Sequence, residues 1–224
     1  MTESLPIDGR SLTLDQFLAV VRSRCAVSLA PEARTRVESS RRAVERAVQR
    51  GRAVYGVTTG FGALSDHPIP PEQARMLQLD LVRSHASGAG RPLDAETVRG
   101  MLLLRANSLA AGYSGVRPVV IEQLLEFLNR GLVPYVPSQG SVGASGDLAP
   151  LAHVALTVIG EGEFLGPDGA AVPARPTLDA HGVRPLELAE KEGVALVNGT
   201  SLMASYLALA VADVAGLLDA ALIA

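Results

Sequence analysis

The chain has 224 residues, 48% of them hydrophobic, and a formal net charge of −3. It holds enough apolar material for a sizeable core, and its acidic balance argues against nucleic acid as a partner because phosphate binding requires a basic face. The one cysteine, Cys25, excludes a disulfide within the chain and suits a reducing compartment, so we expect a cytoplasmic protein.

Helical periodicity dominates the first half of the chain. Thr13 and Gln16 have the spacing of a capping box, and prolines that suit a first helical turn recur further along. Arginines between residues 34 and 52 alternate with glutamates, which indicates a solvated helix face rather than a nucleic-acid site. Helices are predicted over residues 13 to about 29, 31 to about 50, 71–87, 95–111 and 118–130.

The second half begins with a predicted extended piece at residues 133–136, followed by a glycine-rich loop at residues 138–146. Asp147 can then cap a helix over residues 148–159. The turn Pro167-Asp168-Gly169 lies between apolar flanks and predicts a small β-hairpin. The coarse prediction is a mainly α protein with that one hairpin.

The last helix is predicted to start near Thr200, and it is the most apolar stretch of the chain. Asp213 and Asp219 lie inside it, and charged side chains are expensive at the centre of a membrane. We therefore predict a buried helix of a soluble protein and no membrane partner.

The tripeptide Ala144-Ser145-Gly146 carries the most specific chemistry. In a sharply bent backbone, the amide nitrogen of Gly146 can attack the carbonyl carbon of Ala144, because glycine has no side chain to block the approach. Loss of one water closes a five-membered ring, and loss of a second from Ser145 leaves an exocyclic methylene. The product is methylidene-imidazolone, an electrophile that no ordinary side chain provides.

The same loop permits two other functions. Backbone amides at a helix N-terminus attract anions, and serines in tight turns occur in hydrolases. The loop lacks both the Gly-Lys-Ser/Thr ending of a phosphate loop and the Gly-x-Ser-x-Gly pattern of a hydrolase elbow. An anion-binding or hydrolase-like domain is therefore kept as an alternative, and no nucleotide cofactor is expected.

Five blocks of the chain resemble the histidine, phenylalanine and tyrosine ammonia-lyases and the related aminomutases. Residues 140–153 (GSVGASGDLAPLAH) resemble the loop that forms the methylidene-imidazolone cofactor in this family. The other blocks follow in the family's order: residues 55–62 (YGVTTGFG), 81–90 (LVRSHASGAG), 105–118 (RANSLAAGYSGVRP) and 191–200 (KEGVALVNGT). The resemblance implies the helical N-terminal domain of the ammonia-lyase fold, with a small β-hairpin and the start of the central helical bundle.

The resemblance also assigns roles to residues outside the ring-forming tripeptide. Tyr55 resembles the base that removes a proton from the β-carbon of the substrate, a task for which its pKa must fall below the usual value of about 10. Gly62 resembles a residue that lines the substrate pocket through its backbone. Asn198 resembles the asparagine that hydrogen-bonds the cofactor ring and helps to hold the substrate, because an amide donates and accepts without titrating.

His85 indicates which substrate the protein binds. The pair Ser84-His85 resembles that of histidine ammonia-lyases, and an imidazole at this place can exchange a hydrogen bond with a substrate imidazole. At position 201, by contrast, the histidine enzymes usually have glutamine. This chain has Ser201 there, which is more similar to the tyrosine enzymes and aminomutases. None of the four histidines forms a His-Glu-x-x-His pair, so no metal is expected, and His153 is predicted to be structural.

The implied reaction is elimination of ammonia from a small aromatic L-amino acid, above all L-histidine giving urocanate. A tyrosine or phenylalanine ammonia-lyase or an aminomutase is the alternative.

Members of the family are longer, and their C-terminal halves supply a second catalytic tyrosine, an arginine and a glutamate that have no counterpart here. We therefore predict an N-terminal fragment, with a cofactor-bearing domain at residues 1–199 and a truncated bundle helix at residues 200–224. The family builds each active site from several subunits of a tetramer, which implies a homo-oligomer for the full-length protein. An inactive fragment that acts only as a helical association module is a further alternative.

Overall fold

The structure, a computed structural model, describes residues 4–51, 54, 56, 59, 70–142 and 146–223. The described helices are α1 (Leu14–Val21), α2 (Pro31–Gln49), α3 (Pro71–His85), α4 (Ala95–Ala110), α5 (Pro118–Arg130), α6 (Leu148–Val158), α7 (Ala174–Ala180), α8 (Glu192–Val197) and α9 (Ser201–Ile223). The described strands are β1 (Leu5–Ile7), β2 (Val27–Leu29), β3 (Ala89–Pro92), β4 (Pro137–Gln139), β5 (Glu163–Leu165) and β6 (Ala171–Pro173). The mainly α prediction is confirmed.

Helix α4 forms the centre of the core and contacts α1, α2, α5 and α9. Its N-terminus is capped by Asp94, whose carboxylate accepts the backbone amide of Thr97 at 2.8 Å. Gly100 allows α9 to approach closely, because a Cβ atom there would lie 2.1 Å from Oγ of Ser205. That hydroxyl donates to the carbonyl oxygen of Thr97 at 2.9 Å, so the crossing of α4 and α9 is both tight and hydrogen-bonded.

Helix α1 is shorter than the sequence predicts. The capping box of Thr13 and Gln16 is present, but the helix ends at Val21 rather than near residue 29. Arg24 then takes a left-handed φ of +55, and residues 27–29 form a strand that pairs in parallel with β1. The apolar run after Arg24 therefore serves a strand, a distinction that a short apolar run does not make by itself.

Two further pairs of strands complete the sheets of the described chain. The predicted hairpin is confirmed as β5 and β6, with Phe164 opposite Val172. Strand β4 lies at residues 137–139, beyond the predicted extended piece at 133–136, and pairs antiparallel with β3. The pairs β1–β2 and β3–β4 were not predicted, because the strands of each pair lie far apart in the sequence. The short helices α7 and α8 were also not predicted.

Helix α9 corrects a further prediction. It starts at Ser201, but its buried residues end at Leu209, and from Asp213 to Ile223 every residue is exposed. The outer part of α9, residues 210–223, is therefore not a buried helix in this chain. The stretch Glu192–Ile223, which contains α8 and α9, is long and apolar enough to cross a membrane by length and composition only.

Candidate active site

Three predicted site residues, Gly146, His85 and Asn198, belong to the described part of the chain. Gly146 immediately precedes α6, His85 is the last residue of α3, and Asn198 follows α8. The remaining ones, Tyr55, Gly62, Ala144 and Ser145, lie outside the described residues.

Gly146 occupies a place where only glycine fits. Its φ of +87 lies in the left-handed region. A Cβ atom at this position would lie 2.7 Å from the carbonyl oxygen of Gly199 and 2.9 Å from Cγ2 of Thr200. The nitrogen that the ring chemistry requires thus belongs to a residue held tightly against the segment at residues 198–200.

The carboxylate of Asp147 joins the glycine-rich loop to α9. Asp147 stands at the N-cap of α6, but it forms no side-chain cap there, contrary to the sequence prediction. Its Oδ1 accepts the hydroxyl of Ser141 at 2.8 Å, and its Oδ2 accepts the amides of Leu202 at 2.7 Å and Met203 at 3.1 Å. The side chain is fully buried and caps α9 instead. Its own backbone amide donates to the carbonyl oxygen of Gly199 at 2.9 Å.

His85 presents one ring nitrogen away from its own helix. Its Nδ1 lies 2.9 Å from the carbonyl oxygen of Leu81 and 3.1 Å from Oγ of Ser84. A carbonyl oxygen can only accept, so this contact assigns the hydrogen to Nδ1, and Nε2 of the neutral ring is then an acceptor. The residue is half-buried, so it is partly accessible to solvent.

The segment after His85 abuts the start of the glycine-rich loop. The backbone amide of Gly88 donates to Nε2 of His153 at 3.1 Å. A Cβ atom at Gly140 would lie 3.3 Å from Cα of Gly88 and 3.1 Å from Cβ of Ala149. Burial lowers the pKa of His153, which keeps its ring neutral and able to accept this bond. His153 therefore has the structural role that the sequence predicts.

Asn198 is exposed at the C-terminal end of α8, and polar side chains from elsewhere hold that short helix in place. Gln78, fully buried on α3, accepts the amides of Gly193 at 3.0 Å and Val194 at 3.4 Å through its Oε1. These bonds satisfy donors at the first turn of α8. Gln78 was not among the predicted site residues, although an amide within the apolar part of a predicted helix is an available signal.

An ion pair also fixes the N-terminal end of α8. Glu192 is fully buried, and its carboxylate accepts Nε and Nη2 of Arg117 at 2.8 and 2.7 Å. It also accepts the backbone amides of Arg117 and Ala189. The hydrogen bonds that it donates to Glu192 raise the pKa of the Arg117 guanidinium. Both residues belong to blocks noted in the sequence, but no role was predicted for either.

The structure therefore brings four of the five sequence blocks together. Residues 105–118 meet residues 191–200 through Arg117 and Glu192. Residues 81–90 meet the glycine-rich loop at Gly88, and residues 191–200 meet it at Gly199. The described residues include no group of three histidine, cysteine, aspartate or glutamate side chains that could hold a metal. The arrangement surrounds the C-terminal edge of the tripeptide with backbone contacts and one buried carboxylate.

Comparison with known proteins assigns this arrangement to a family. A family model described as aromatic amino acid lyase matches residues 12–224. The chain belongs to the aromatic amino acid lyase family. The chain is 53% identical over 197 residues to the histidine ammonia-lyase of Geobacillus thermodenitrificans, and the match covers 88% of the chain and 39% of that relative.

Solved structures agree with this assignment to the family. The histidine ammonia-lyase of Trypanosoma cruzi matches with a TM-score of 0.85 and 39% identity, over 94% of this chain and 40% of that one. The tyrosine aminomutase of Streptomyces globisporus matches with a TM-score of 0.87 and 39% identity, over 92% of this chain and 39% of that one. The predicted family and its helical fold are confirmed. The chain spans about two fifths of the length of the curated relatives it matches.

Proposed function

We propose that this chain carries the cofactor-forming part of an ammonia-lyase that converts L-histidine to urocanate. The observation that carries the proposal is the packing of Gly146 and Asp147 against Gly199, which brings the ring-forming tripeptide beside the segment that contains Asn198. The histidine ammonia-lyases among its relatives support the reaction class. The division into residues 1–199 and 200–224 is part of the same proposal.

The residues around the tripeptide fit a methylidene-imidazolone ring. A side chain at position 146 would clash with Gly199, so only glycine fits there. The nitrogen that must close the ring is the amide nitrogen of this glycine. Asp147 immediately follows the tripeptide and is buried. Three hydrogen bonds to its carboxylate fix the backbone at this point. The ring would supply an electrophilic methylene, which the twenty side chains lack.

The chain's own residues would bind the substrate and move the proton. Tyr55 would take the proton from the β-carbon of the substrate. His85 would accept a hydrogen bond from the substrate imidazole at Nε2, because its Nδ1 is committed to Leu81. Asn198 would hold the substrate and the ring through its exposed amide. The first amides of α6 receive no side-chain cap from the described residues, and their dipoles can stabilise negative charge that develops nearby.

A second candidate differs in substrate. Ser201 stands where the histidine enzymes usually carry glutamine, and the solved relatives include a tyrosine aminomutase at the same 39% identity as a histidine ammonia-lyase. A tyrosine or phenylalanine ammonia-lyase or an aminomutase is therefore the alternative that the assay must separate.

The proposal includes a cytoplasmic homo-oligomer. The outer part of α9 exposes a run of large apolar side chains, among them Leu217, Leu218 and Leu222, that are 60–78% exposed. Contiguous apolar surface of this kind marks association sites. A homotetramer, in which other copies or further chain cover this helix, is consistent with that exposure.

The decisive experiment measures ring formation and activity separately. Intact mass should show a full-length chimera that contains this chain lighter by two water molecules than its sequence requires. Ser145→Ala should abolish that loss, so that the variant differs from the uncyclised sequence only by the oxygen atom that alanine lacks. Absorbance of the unsaturated product should then be followed with histidine, tyrosine and phenylalanine in turn. The assay is run on this chain and on a chimera in which it replaces the matching segment of the Geobacillus relative.

Ser138→Ala provides the matched control, because Ser138 lies on β4 outside the tripeptide and is exposed. It should keep both the mass loss and the activity, whereas Ser145→Ala should lose both. Activity of the chimera towards tyrosine alone would transfer the proposal to the second candidate. Inactivity of the chimera towards all three amino acids would refute a lyase and leave the helical association module, which predicts an oligomer at full mass.

A further inference from the structure

A buried arginine near the site has a charge that no described carboxylate balances. Arg105 lies on α4 with only 5% of its surface exposed. Its Nη2 donates to the carbonyl oxygen of Ala195 on α8, and its Nε has no hydrogen-bond partner among the described residues. Burial lowers the pKa of the guanidinium to about 10, so it is still charged at neutral pH.

Arg99 on the same helix shows what a structurally satisfied arginine looks like in this protein. Its residue surface is 4% exposed. Its Nε, Nη1 and Nη2 donate to three carbonyl oxygens, those of Val21, Leu128 and Val20, at 3.1, 3.2 and 2.6 Å. These bonds tie the end of α1 and the end of α5 to α4. Arg99 is therefore explained by the hydrogen bonds that it makes.

Arg105 is not explained in that way. A buried charge destabilises a protein unless hydrogen bonds or an opposite charge compensate it, and an apolar side chain of similar size is often as stable. Among the described residues Arg105 has one hydrogen bond, to Ala195, and an unpaired Nε, so we expect it to contribute less to folding than Arg99. The reason for an arginine at this position should therefore lie in what its guanidinium touches.

The guanidinium touches the segment that packs on the tripeptide. A Cβ atom at Gly199 would lie 2.3 Å from Nη1 of Arg105, so the backbone of that segment rests directly on the charged group. The carbonyl oxygen of Gly199 in turn accepts the amide of Asp147 at 2.9 Å. Arg105 is thus linked to the tripeptide through a single residue, and to Asn198 through the adjoining peptide bond.

We propose that Arg105 is a positioning residue that fixes residues 198–200 against the glycine-rich loop. Its guanidinium holds the end of α8 through Ala195 and supports Gly199, which sets the direction of the Asn198 side chain and the position of the Asp147 amide. The inference rests on the proposed function for the roles of Asn198 and the tripeptide. The contact between Arg105 and residues 198–200 does not depend on that function.

Amide hydrogen exchange at Asp147 tests the inference, because this amide donates to Gly199. Arg105→Met should raise the exchange rate of Asp147, relative to the amides of α6, about tenfold. Arg99→Met is the matched control: it removes three bonds, so it should lower the melting temperature more while leaving the relative exchange at Asp147 within about twofold. Arg99→Met should therefore have the lower melting temperature of the two variants, and Arg105→Met should have the faster exchange at Asp147.

Arg105→Lys and Arg99→Lys repeat the comparison with a cation retained, in case either methionine variant does not fold. A lysine can keep one bond but not the planar contact with Gly199, so Asp147 should exchange faster in Arg105→Lys than in Arg99→Lys. Equal exchange at Asp147 in the members of a pair would overturn the inference. Absence of the mass loss from the chimera would refute ring formation instead, and the exchange result would stand.

In the chimera, Arg105→Lys should raise KM and lower kcat together, since both substrate binding and the ring depend on residues 198–200. Arg99→Lys should change neither by more than about twofold once the enzyme is folded. A loss of activity that simply follows the melting temperature in both variants would contradict a positioning role.

Discussion

Helices α4 and α9 are both long and mostly apolar, yet their surroundings differ completely. Helix α4 contains two arginines and is nevertheless buried, because four other helices pack around it and backbone carbonyls accept from its guanidiniums. Helix α9 contains no lysine or arginine, and it is exposed from Asp213 onward. Burial in this chain thus depends on which neighbours are present rather than on how apolar a helix is.

The largest expected contrast comes from truncating a leucine on each helix. Leu102 on α4 is fully buried, and Leu102→Ala should lower the free energy of unfolding by about 2–5 kcal/mol through lost contacts and the cavity left behind. Leu218 on α9 is 60% exposed, and Leu218→Ala should change it by less than about 0.5 kcal/mol in the monomeric chain. Urea denaturation of both variants measures the difference.

A large loss for Leu218→Ala would mean that the outer part of α9 is covered in solution. Its dependence on protein concentration then identifies the cover: a loss that grows with concentration indicates a second copy. A small loss for Leu102→Ala would contradict the central place of α4 in the core.

A glycine on each helix sharpens the comparison at the point where they cross. Gly100→Ala would put a methyl group 2.1 Å from Oγ of Ser205 and 2.9 Å from Cζ of Phe17, so it should destabilise the chain by about 1–3 kcal/mol. Gly216→Ala meets nothing within 4 Å and should stabilise α9 by up to about 1 kcal/mol through helix propensity. Thermal melting of the pair gives opposite shifts.

Gly100→Ser serves as a check on the cause, since it adds the same Cβ atom and should destabilise at least as much as Gly100→Ala. Stabilisation by Gly100→Ala would show that α9 sits further from α4 than the structure places it.

The starts of helices α1 to α5 were predictable because their signals are local. The prolines at the starts of α2, α3 and α5, the capping box of α1 and the glycine after α5 are all read within one turn of sequence. The strand pairs β1–β2 and β3–β4 were missed because each strand has three or four residues and its partner lies far along the chain. So short a strand carries no periodicity of its own.

The site was predictable in part, for a similar reason. Gly146, His85 and Asn198 could be named from their motifs, but the acceptors and donors that hold them could not. Asp147 stands where a helix cap belongs, yet its carboxylate reaches the start of α9, some 55 positions away in sequence. The carboxylate caps α9 and not α6 because folding brings the start of α9 close to it, and nothing in the local sequence predicts this contact.

The core also contains His153, whose titration should make the stability of the folded chain depend on pH. Burial lowers the pKa of His153 from its ordinary value of 6.5. The unfolded chain therefore takes up the proton first as the pH falls, so the folded state should lose stability as the pH drops through about 6.5 and level off below the folded pKa. The slope cannot exceed about 1.4 kcal/mol per pH unit for one proton.

His153→Gln should remove this component, because a glutamine oxygen accepts the Gly88 amide without titrating. The control is His181→Gln at the exposed end of α7, which should keep the slope of the unmodified chain. Denaturant unfolding at several pH values between 7.5 and 5 measures all three proteins. An unchanged slope in His153→Gln would assign the acid sensitivity to other groups.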